Sequence, residues 1–320
     1  MENTTENITN KKYHNKLGVG LFHLDPRWCS TYDFKSVADL GMYNSFRFTP
    51  EAGTGSFIRG ALRAKETGDQ VWFCAAKFNS KKETIEEYMA KLDKQVNALK
   101  KAEVWDTVVG FLWDEPLASP DLLTMTKAVA EAYGKRIFPV FAIFQIAGER
   151  GNLEDPDYDR VIKKEYSEYF TDVAFDVYGY DFRVPLSEEK KKNFFDRYGV
   201  EVETAEEALQ FYTDKMMGLM VNPDKVRIWY FPCAYRCRIS IGGPRADEDF
   251  CIQSLEGYKN LLLKQKNPGG LYSYGYKSWD GEDGHLDWWL DEDNPERWVK
   301  YIEASKKVCD ELKDIDINLF

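Results

Sequence analysis

Two adjacent carboxylates, Asp114 and Glu115, follow a buried strand-like run and directly precede Pro116. Side chains alternate along a strand, so we expect one carboxylate to face a binding site and the other to brace neighbouring structure. A carboxyl group beside Trp113 in apolar surroundings should have a raised pKa, which a general acid needs near neutral pH. The alternative is a carboxylate that caps the helix after Pro116. The pattern favours a catalytic role.

A further carboxylate, Asp176, lies near the end of another strand-like run. The odd-numbered residues of this run are large and apolar and should pack against helices, whereas Asp176 and Tyr178 share the face expected to line a barrel interior and its rim. An inward-facing Asp is costly without polar partners, and Arg47 or Lys77 could supply them. A catalytic and a purely structural role are both open for Asp176.

These residues must be positioned by a parallel α/β fold, because short apolar runs alternate with longer charged, helix-like segments. The predicted strands are Leu17–Leu24, Tyr43–Phe48, Gln70–Ala76, Thr107–Trp113, Arg136–Ile143, Asp172–Tyr178, Val226–Phe231 and Gly270–Tyr276. The predicted helices are Thr84–Lys101, Pro120–Tyr133, Thr204–Met220, Asp247–Gln265 and Pro295–Leu312, and Ser187–Tyr198 is interpreted as a charged insertion.

Strands separated mostly by helical crossovers, without a glycine-rich dinucleotide motif or a Walker loop after the first strand, predict a barrel rather than an open sheet. We therefore expect a single-domain (β/α)8 TIM barrel over residues 16–320, preceded by a disordered polar start at residues 1–15.

The active site of such a barrel forms where the strands end and their following loops begin. Sugar rings stack on aromatic side chains, and their hydroxyl groups need polar and charged partners, so this end favours a carbohydrate ligand over a purely structural role. The candidate substrate-binding residues are His23, Arg47, Lys77, Asn79, Trp113, Tyr178, Tyr180, Tyr230, Arg236, Tyr274, Tyr276 and Trp279. Their positive charges admit an acidic sugar, although pairing with nearby Asp side chains is equally open.

Three motifs occur in chain order: Gly110–Pro116 (GFLWDEP), Phe175–Tyr180 (FDVYGY) and Gly270–Trp279 (GLYSYGYKSW). Together they resemble the glycoside-hydrolase-like barrels related to the clan A retaining glycosidases. The resemblance covers the fourth to eighth predicted strands, well over half the chain. It implies a glycosidase in which Glu115 corresponds to the acid/base glutamate of the clan.

The chain departs from that clan at two positions. Asp114 stands where the clan has Asn, and the seventh predicted strand ends without the Glu expected as nucleophile. Asp176 or Asp280 could supply the second carboxylate, and the separation of the two groups would decide between a retaining and an inverting reaction. The candidate catalytic residues are therefore Glu115, Asp176, Asp114 and Asp280.

Two other functions remain open. One is a non-catalytic carbohydrate-binding barrel that has lost one carboxylate. The other is a metal-dependent sugar isomerase or aldolase, which needs His, Asp and Glu ligands from several strand ends. The chain has only three histidines. The acidic stretch Asp280–His285 is interpreted as a solvated loop rather than a metal site, so we expect neither a metal nor another cofactor.

The composition of the chain argues against some classes of binding partner. The formal net charge of −11 argues against nucleic acid, and no apolar run approaches the roughly 20 residues of a membrane helix. The six cysteines are scattered without zinc-site spacing, and the polar start lacks the apolar core of a signal peptide. A reduced, cytoplasmic protein is favoured, while export after removal of a leader and the oligomeric state stay open.

Overall fold

The computed structural model describes residues 11–22, 41–48, 54–148, 161–234, 246–274 and 299–320. Eight parallel strands pair in chain order, and the last pairs with the first, which closes the sheet into a barrel. The strands are β1 Gly18–Leu21, β2 Ser45–Phe48, β3 Gln70–Cys74, β4 Val108–Asp114, β5 Arg136–Ala142, β6 Asp172–Asp176, β7 Arg227–Tyr230 and β8 Pro268–Ser273. The predicted (β/α)8 TIM-barrel fold is confirmed.

Helices connect the strands on the outside of the barrel. They are α1 Thr54–Thr67, α2 Ile85–Lys101, α3 Pro120–Tyr133, α4 Ile143–Ala147, α5 Glu188–Tyr198, α6 Ala205–Gly218, α7 Glu248–Leu263 and α8 Val299–Leu312. Local sequence explains several helix ends. Thr84 and Glu87 form a capping box at the start of α2, and α3 ends at Gly134 with a left-handed φ of 59°.

The sequence pattern does not predict helices α1, α4 and α5. Helix α5 occupies the segment interpreted above as a charged insertion. The Ser187 hydroxyl accepts the Lys190 N–H at its start, and Gly199 ends it in a left-handed conformation. The insertion is therefore an ordered helix with its own start and stop signals.

Large aromatic side chains fill the barrel interior. Trp72, Phe138, Trp229 and Tyr272 are fully buried, with ring centroids 4.9 Å apart for the first two and 5.2 Å apart for the last two. Facing positions carry glycine, because a Cβ on Gly18 of β1 would lie 2.2 Å from the Trp229 ring. The interior is consequently a packed core and not a channel.

A buried cluster of charges lies among the first residues of the strands. Asp172 of β6 is fully buried and accepts hydrogen bonds from the guanidinium groups of Arg136 and Arg227 and from Trp229 Nε1 at 2.9 Å. Burial alone would raise the pKa of Asp172, but the two guanidinium groups outweigh it and hold the pKa below its usual range. The cluster ties β5, β6 and β7 together.

The chain before β1 is fixed to this same end of the barrel. The Tyr13 N–H donates to the Gly68 carbonyl at 2.9 Å, and Gln70 Nε2 donates to the Tyr13 carbonyl at 2.7 Å. Residues 11–15 of the start that the sequence predicts to be disordered thus make hydrogen bonds to the barrel, and residues 1–10 lie outside the described residues. Within the described ranges, no helix is both long and apolar enough to cross a bilayer.

Replacing Asp172 with Asn should strongly destabilise the barrel, because it leaves two buried guanidinium groups without their counter-charge. We expect the free energy of unfolding to fall by about 3–5 kcal/mol, measured by denaturant unfolding. Asp224→Asn is the control, since Asp224 pairs with Lys266 at the surface and should cost less than about 1 kcal/mol. Equal effects of the two substitutions would contradict a stabilising role for the cluster.

Candidate functional site

Asp114 ends β4 with its side chain toward the barrel interior. Its Oδ2 lies 3.5 Å from Nη2 of Arg47 on β2. Arg47 is only 7% exposed, and it also donates to the Phe22 carbonyl at 3.2 Å and to the Cys74 thiol at 3.0 Å. The Asp114–Arg47 pair therefore bridges two strands at the mouth, the end of the barrel where the strands finish.

Glu115 interrupts the alternation of β4. Its φ of 43° is left-handed, a conformation that costs a non-glycine residue about 1–2 kcal/mol. Hydrogen bonds on both sides hold this turn. The Glu115 N–H donates to the Val140 carbonyl at 2.8 Å, and the buried Gln145 side chain donates to the Pro116 carbonyl at 2.8 Å while accepting the Ala142 N–H at 3.0 Å. The turn keeps both Asp114 and Glu115 at the mouth.

A cavity of about 490 Å³ lies beside Glu115, and Asp176 at the end of β6 also lines it. This volume falls in the range of small-molecule sites. Aromatic and polar side chains from the loop after β6, from α5 and from α6 complete the wall. They are Tyr178, Tyr180, Lys190, Asn193, Phe194, Arg197, Tyr198 and Tyr212.

The carboxyl groups at this cavity are electrostatically coupled. Burial raises the pKa of Glu115, the Asp114 charge raises it further, and Lys77 opposes both effects. Burial also raises the pKa of Asp176 well above its usual range, and the charges of Glu115 and Asp114 add to the shift. The site consequently retains a proton at pH values where isolated carboxylic acids would have lost theirs.

Most of the predicted mouth residues that the structure describes do come together. Tyr178 and Tyr274 contact each other, with ring centroids 4.8 Å apart. The exposed Lys77 lies close enough to lower the pKa of Glu115. The predicted residues gathered at this end are Arg47, Lys77, Asp114, Glu115, Asp176, Tyr178, Tyr180 and Tyr274.

Trp113 and Tyr230 do not line the mouth. Both are fully buried between the barrel and the helices. Trp113 Nε1 donates to the Tyr88 hydroxyl of α2 at 3.3 Å, and the Tyr230 hydroxyl lies 2.8 Å from that of Thr213 on α6. Strand alternation directs both side chains outward. The prediction that they bind substrate is wrong.

The other predicted residues have different outcomes. Asn79 accepts the Lys81 N–H at 2.9 Å and so stabilises its own turn; a role in binding stays a prediction. His23, Arg236, Tyr276, Trp279 and Asp280 lie outside the described residues, as does His285. Among the residues that the structure describes, no three His, Cys, Asp or Glu side chains are grouped as a metal site.

Helix α5 is the part of the site that the sequence analysis missed. Its cavity-lining residues occupy positions 190, 193, 194, 197 and 198, the spacing of a single helix face. That spacing is visible in the sequence. A basic run on a polar helix is ordinarily solvated, however, and nothing in the local pattern places this helix against the mouth.

Comparison with known proteins shows similarity in fold alone. No family model and no curated protein matches the chain. A GH2 beta-galacturonidase from Eisenbergiella tayi, solved with glycerol, is 11% identical and matches with a TM-score of 0.59 over 96% of this chain and 53% of its own. A b-glucuronidase from Ruminococcus gnavus, in complex with a C6-substituted uronic isofagomine, is 11% identical with a TM-score of 0.56 over 91% of this chain and 50% of its own. The chain thus spans about half the length of these glycosidases, whose barrels it resembles.

Asp176→Asn should stabilise the protein at alkaline pH. Between the unfolded pKa of Asp and the raised folded pKa, the folded state holds a proton that the unfolded state has lost, so the stability of the parent falls as pH rises. We expect the variant to melt roughly 2 °C or more above the parent at pH 8, with a smaller difference at pH 4. Asp196→Asn, at an exposed ion pair on α5, should show no such trend; a variant less stable than the parent at pH 8 would contradict the assignment.

Glu115→Gly should also raise stability, because glycine adopts a left-handed φ without steric cost. We expect roughly 1 kcal/mol in the free energy of unfolding, measured with denaturant. Glu103, with φ 57° at the end of α2, provides the matched control: Glu103→Gly relieves similar strain away from the cavity. A loss of stability in Glu115→Gly alone would show that the Glu115 side chain stabilises the fold.

Proposed function

We propose that the chain is a glycoside hydrolase in which Glu115 and Asp176 form the catalytic carboxyl pair. The observation that carries this proposal is that both carboxyl groups line one cavity and that the Glu115 charge raises the pKa of Asp176. Most glycosidases use two carboxyl groups beside the scissile bond, one as acid and the other as base or nucleophile. Two carboxyl groups that keep one proton between them can serve as the acid and as the base or nucleophile of this reaction.

The resemblance to clan A barrels assigns the acid role to Glu115. The reactive form is therefore the one in which the proton that the pair retains lies on Glu115 and Asp176 is ionised. Its proton passes to the glycosidic oxygen as the bond from that oxygen to the anomeric carbon breaks. The oxygen of a water molecule ends on the anomeric carbon. In one route Asp176 accepts a proton from that water. In the other, Asp176 first bonds to the anomeric carbon, and the water then breaks this bond while giving its proton to Glu115.

The rest of the cavity supports a sugar ligand. Tyr178, Tyr180 and Tyr198 offer aromatic surface, and Asn193 offers an amide, so the lining combines stacking with hydrogen bonding. The structures with similar barrels are described as a beta-galacturonidase and a b-glucuronidase, both of which are glycosidases. Fold similarity is support by analogy, whereas the carboxyl pair supplies the chemical argument.

The end of β7 favours a second candidate function, carbohydrate binding without hydrolysis. Phe231, Pro232, Cys233 and Ala234 follow this strand, and none of them is the Glu that the clan uses as nucleophile. Asp176 compensates for that loss in the hydrolase proposal. Under the alternative, the cleft would retain a glycan without cleaving it.

Glu115→Gln should lower turnover by about 10²–10⁴-fold, because the amide keeps the shape of the side chain and cannot donate the catalytic proton. Parent and variant are incubated with a broad panel of natural oligosaccharides, and mass spectrometry records both cleavage products and retained ligands. Circular dichroism checks that the fold is intact.

Glu131→Gln, at an exposed position on α3, serves as the matched control and should cleave as the parent does. Cleavage by the parent and the control, with loss in Glu115→Gln, supports a hydrolase centred on Glu115. An unchanged rate in Glu115→Gln would overturn the assignment. Retention of a glycan by all three proteins without cleavage would establish the binding function instead.

A further inference from the structure

Helix α5 brings positive charge to the cavity that holds the carboxyl pair. Lys190 and Arg197 both line the cavity, together with Asn193 between them. Residues separated by seven positions lie on the same face of a helix, so one face of α5 presents two cations and an amide. Apart from tyrosines, the ionisable side chains that line the cavity are therefore Glu115 and Asp176 from the barrel and Lys190 and Arg197 from the helix.

Contacts with two neighbouring elements fix this helix in place. Lys190 Nζ donates to the Gly179 carbonyl at 2.8 Å and lies 5.2 Å from the centre of the Tyr180 ring, which ties α5 to the loop after Asp176. Phe194 packs against Phe211 of α6 at a ring separation of 5.0 Å. Cations on an anchored helix lose little further freedom when a ligand binds.

Four other charged residues of α5 pair with one another or with the next loop. Lys191 pairs with Glu188 at 3.0 Å and also with Glu203, while Lys192 pairs with Asp196 at 2.6 Å. None of these five residues lines the described cavity. The ion pairs of these five residues thus lie off the cavity lining, whereas Lys190 and Arg197 belong to it.

The two cations at the cavity contrast with the negative net charge of the whole chain. A formal net charge of −11 repels an anionic ligand at long range, but salt screens charges beyond about 8–10 Å at physiological ionic strength. Inside the cavity, Lys190 and Arg197 therefore lie closer to a bound ligand than most of the charges that make up this total. A guanidinium group binds a carboxylate or a sulfate through two parallel hydrogen bonds, whereas a neutral hydroxyl gains less from it.

We propose that the glycan bound in this cavity carries an anionic substituent, a carboxylate or a sulfate ester, and that Arg197 and Lys190 determine this specificity. The inference rests on the proposed carbohydrate site and adds the chemical class of its ligand. The carboxyl pair engages the glycosidic bond, and α5 engages the substituent.

Binding is measured in the Glu115→Gln background, so that cleavage does not interfere. Isothermal titration calorimetry compares uronic-acid oligosaccharides with their methyl esters, and sulfated oligosaccharides with the same chains after desulfation. Each pair keeps the same sugar chain and loses the negative charge of the substituent, through a methyl ester in the first case and a free hydroxyl group in the second. We expect at least one anionic series to bind tenfold or more tightly than its neutral partner, and the series that does so distinguishes a carboxylate from a sulfate.

Arg197→Gln in the same background should weaken binding of the anionic ligand about tenfold and leave its neutral partner unaffected. Arg197 is exposed, so the substitution should preserve the fold; Lys190→Gln is the second variant, and circular dichroism checks both. Lys192→Gln is the matched control, since it removes the same charge from the same helix away from the cavity and should bind as the background does.

Equal affinity for charged and neutral partners, equal losses in Arg197→Gln and Lys192→Gln, or no binding of any anionic glycan would each overturn the proposal. The hydrolase proposal is tested separately with the unsubstituted chain. Anionic preference without cleavage leaves this inference standing and removes the hydrolase function. Cleavage of neutral glycans that depends on Glu115, without anionic preference, does the reverse.

Discussion

The aromatic filling of the barrel interior determines where a ligand can bind. Trp72, Phe138, Trp229 and Tyr272 occupy the middle of the barrel completely, and the charges around Asp172 lie at the start of the strands. The next inward-facing residue on four of the strands is polar. These residues come two positions after Ser45, Leu112, Ala174 and Tyr272. Those groups are Arg47, Asp114, Asp176 and Tyr274. Because these rings fill the interior of the described barrel, the candidate site lies at the mouth.

The left-handed turn at Glu115 adds a second carboxylate to one strand end. Regular alternation would direct Glu115 outward, to the side on which Trp113 packs beneath the helices. The turn departs from that register, and the bond from Gln145 to the Pro116 carbonyl maintains it. Backbone strain and carboxyl burial both oppose folding at this position. Both are typical of sites where function, rather than stability, has set the local structure.

The fold was predictable because its signals are local and numerous. Each strand is a short buried run, and caps such as Thr84 and Gly134 mark the helix ends. The site residues were predictable only where the alternation of inward- and outward-facing side chains was applied along a strand. It placed Asp176 inward correctly on β6, and the same rule would have placed Trp113 outward on β4. No such rule locates α5, because its position against the mouth depends on tertiary contacts such as Phe194 with Phe211.

The separation of acids on strands from bases on a connecting helix has a physical basis. The end of β6 is paired on both sides, Asp176 with Ala142 of β5 and Phe175 with Tyr230 of β7, so it can keep the Asp176 carboxyl group in a fixed position despite its raised pKa. Helix α5 is held instead by side-chain contacts, such as that of Phe194 with Phe211, and its exposed Arg197 can be replaced without disturbing the barrel. In the proposed function, reaction chemistry therefore belongs to β4 and β6, and recognition of the ligand belongs to α5. A change of ligand would need new side chains at positions such as 190 and 197 and would leave the aromatic core as it is.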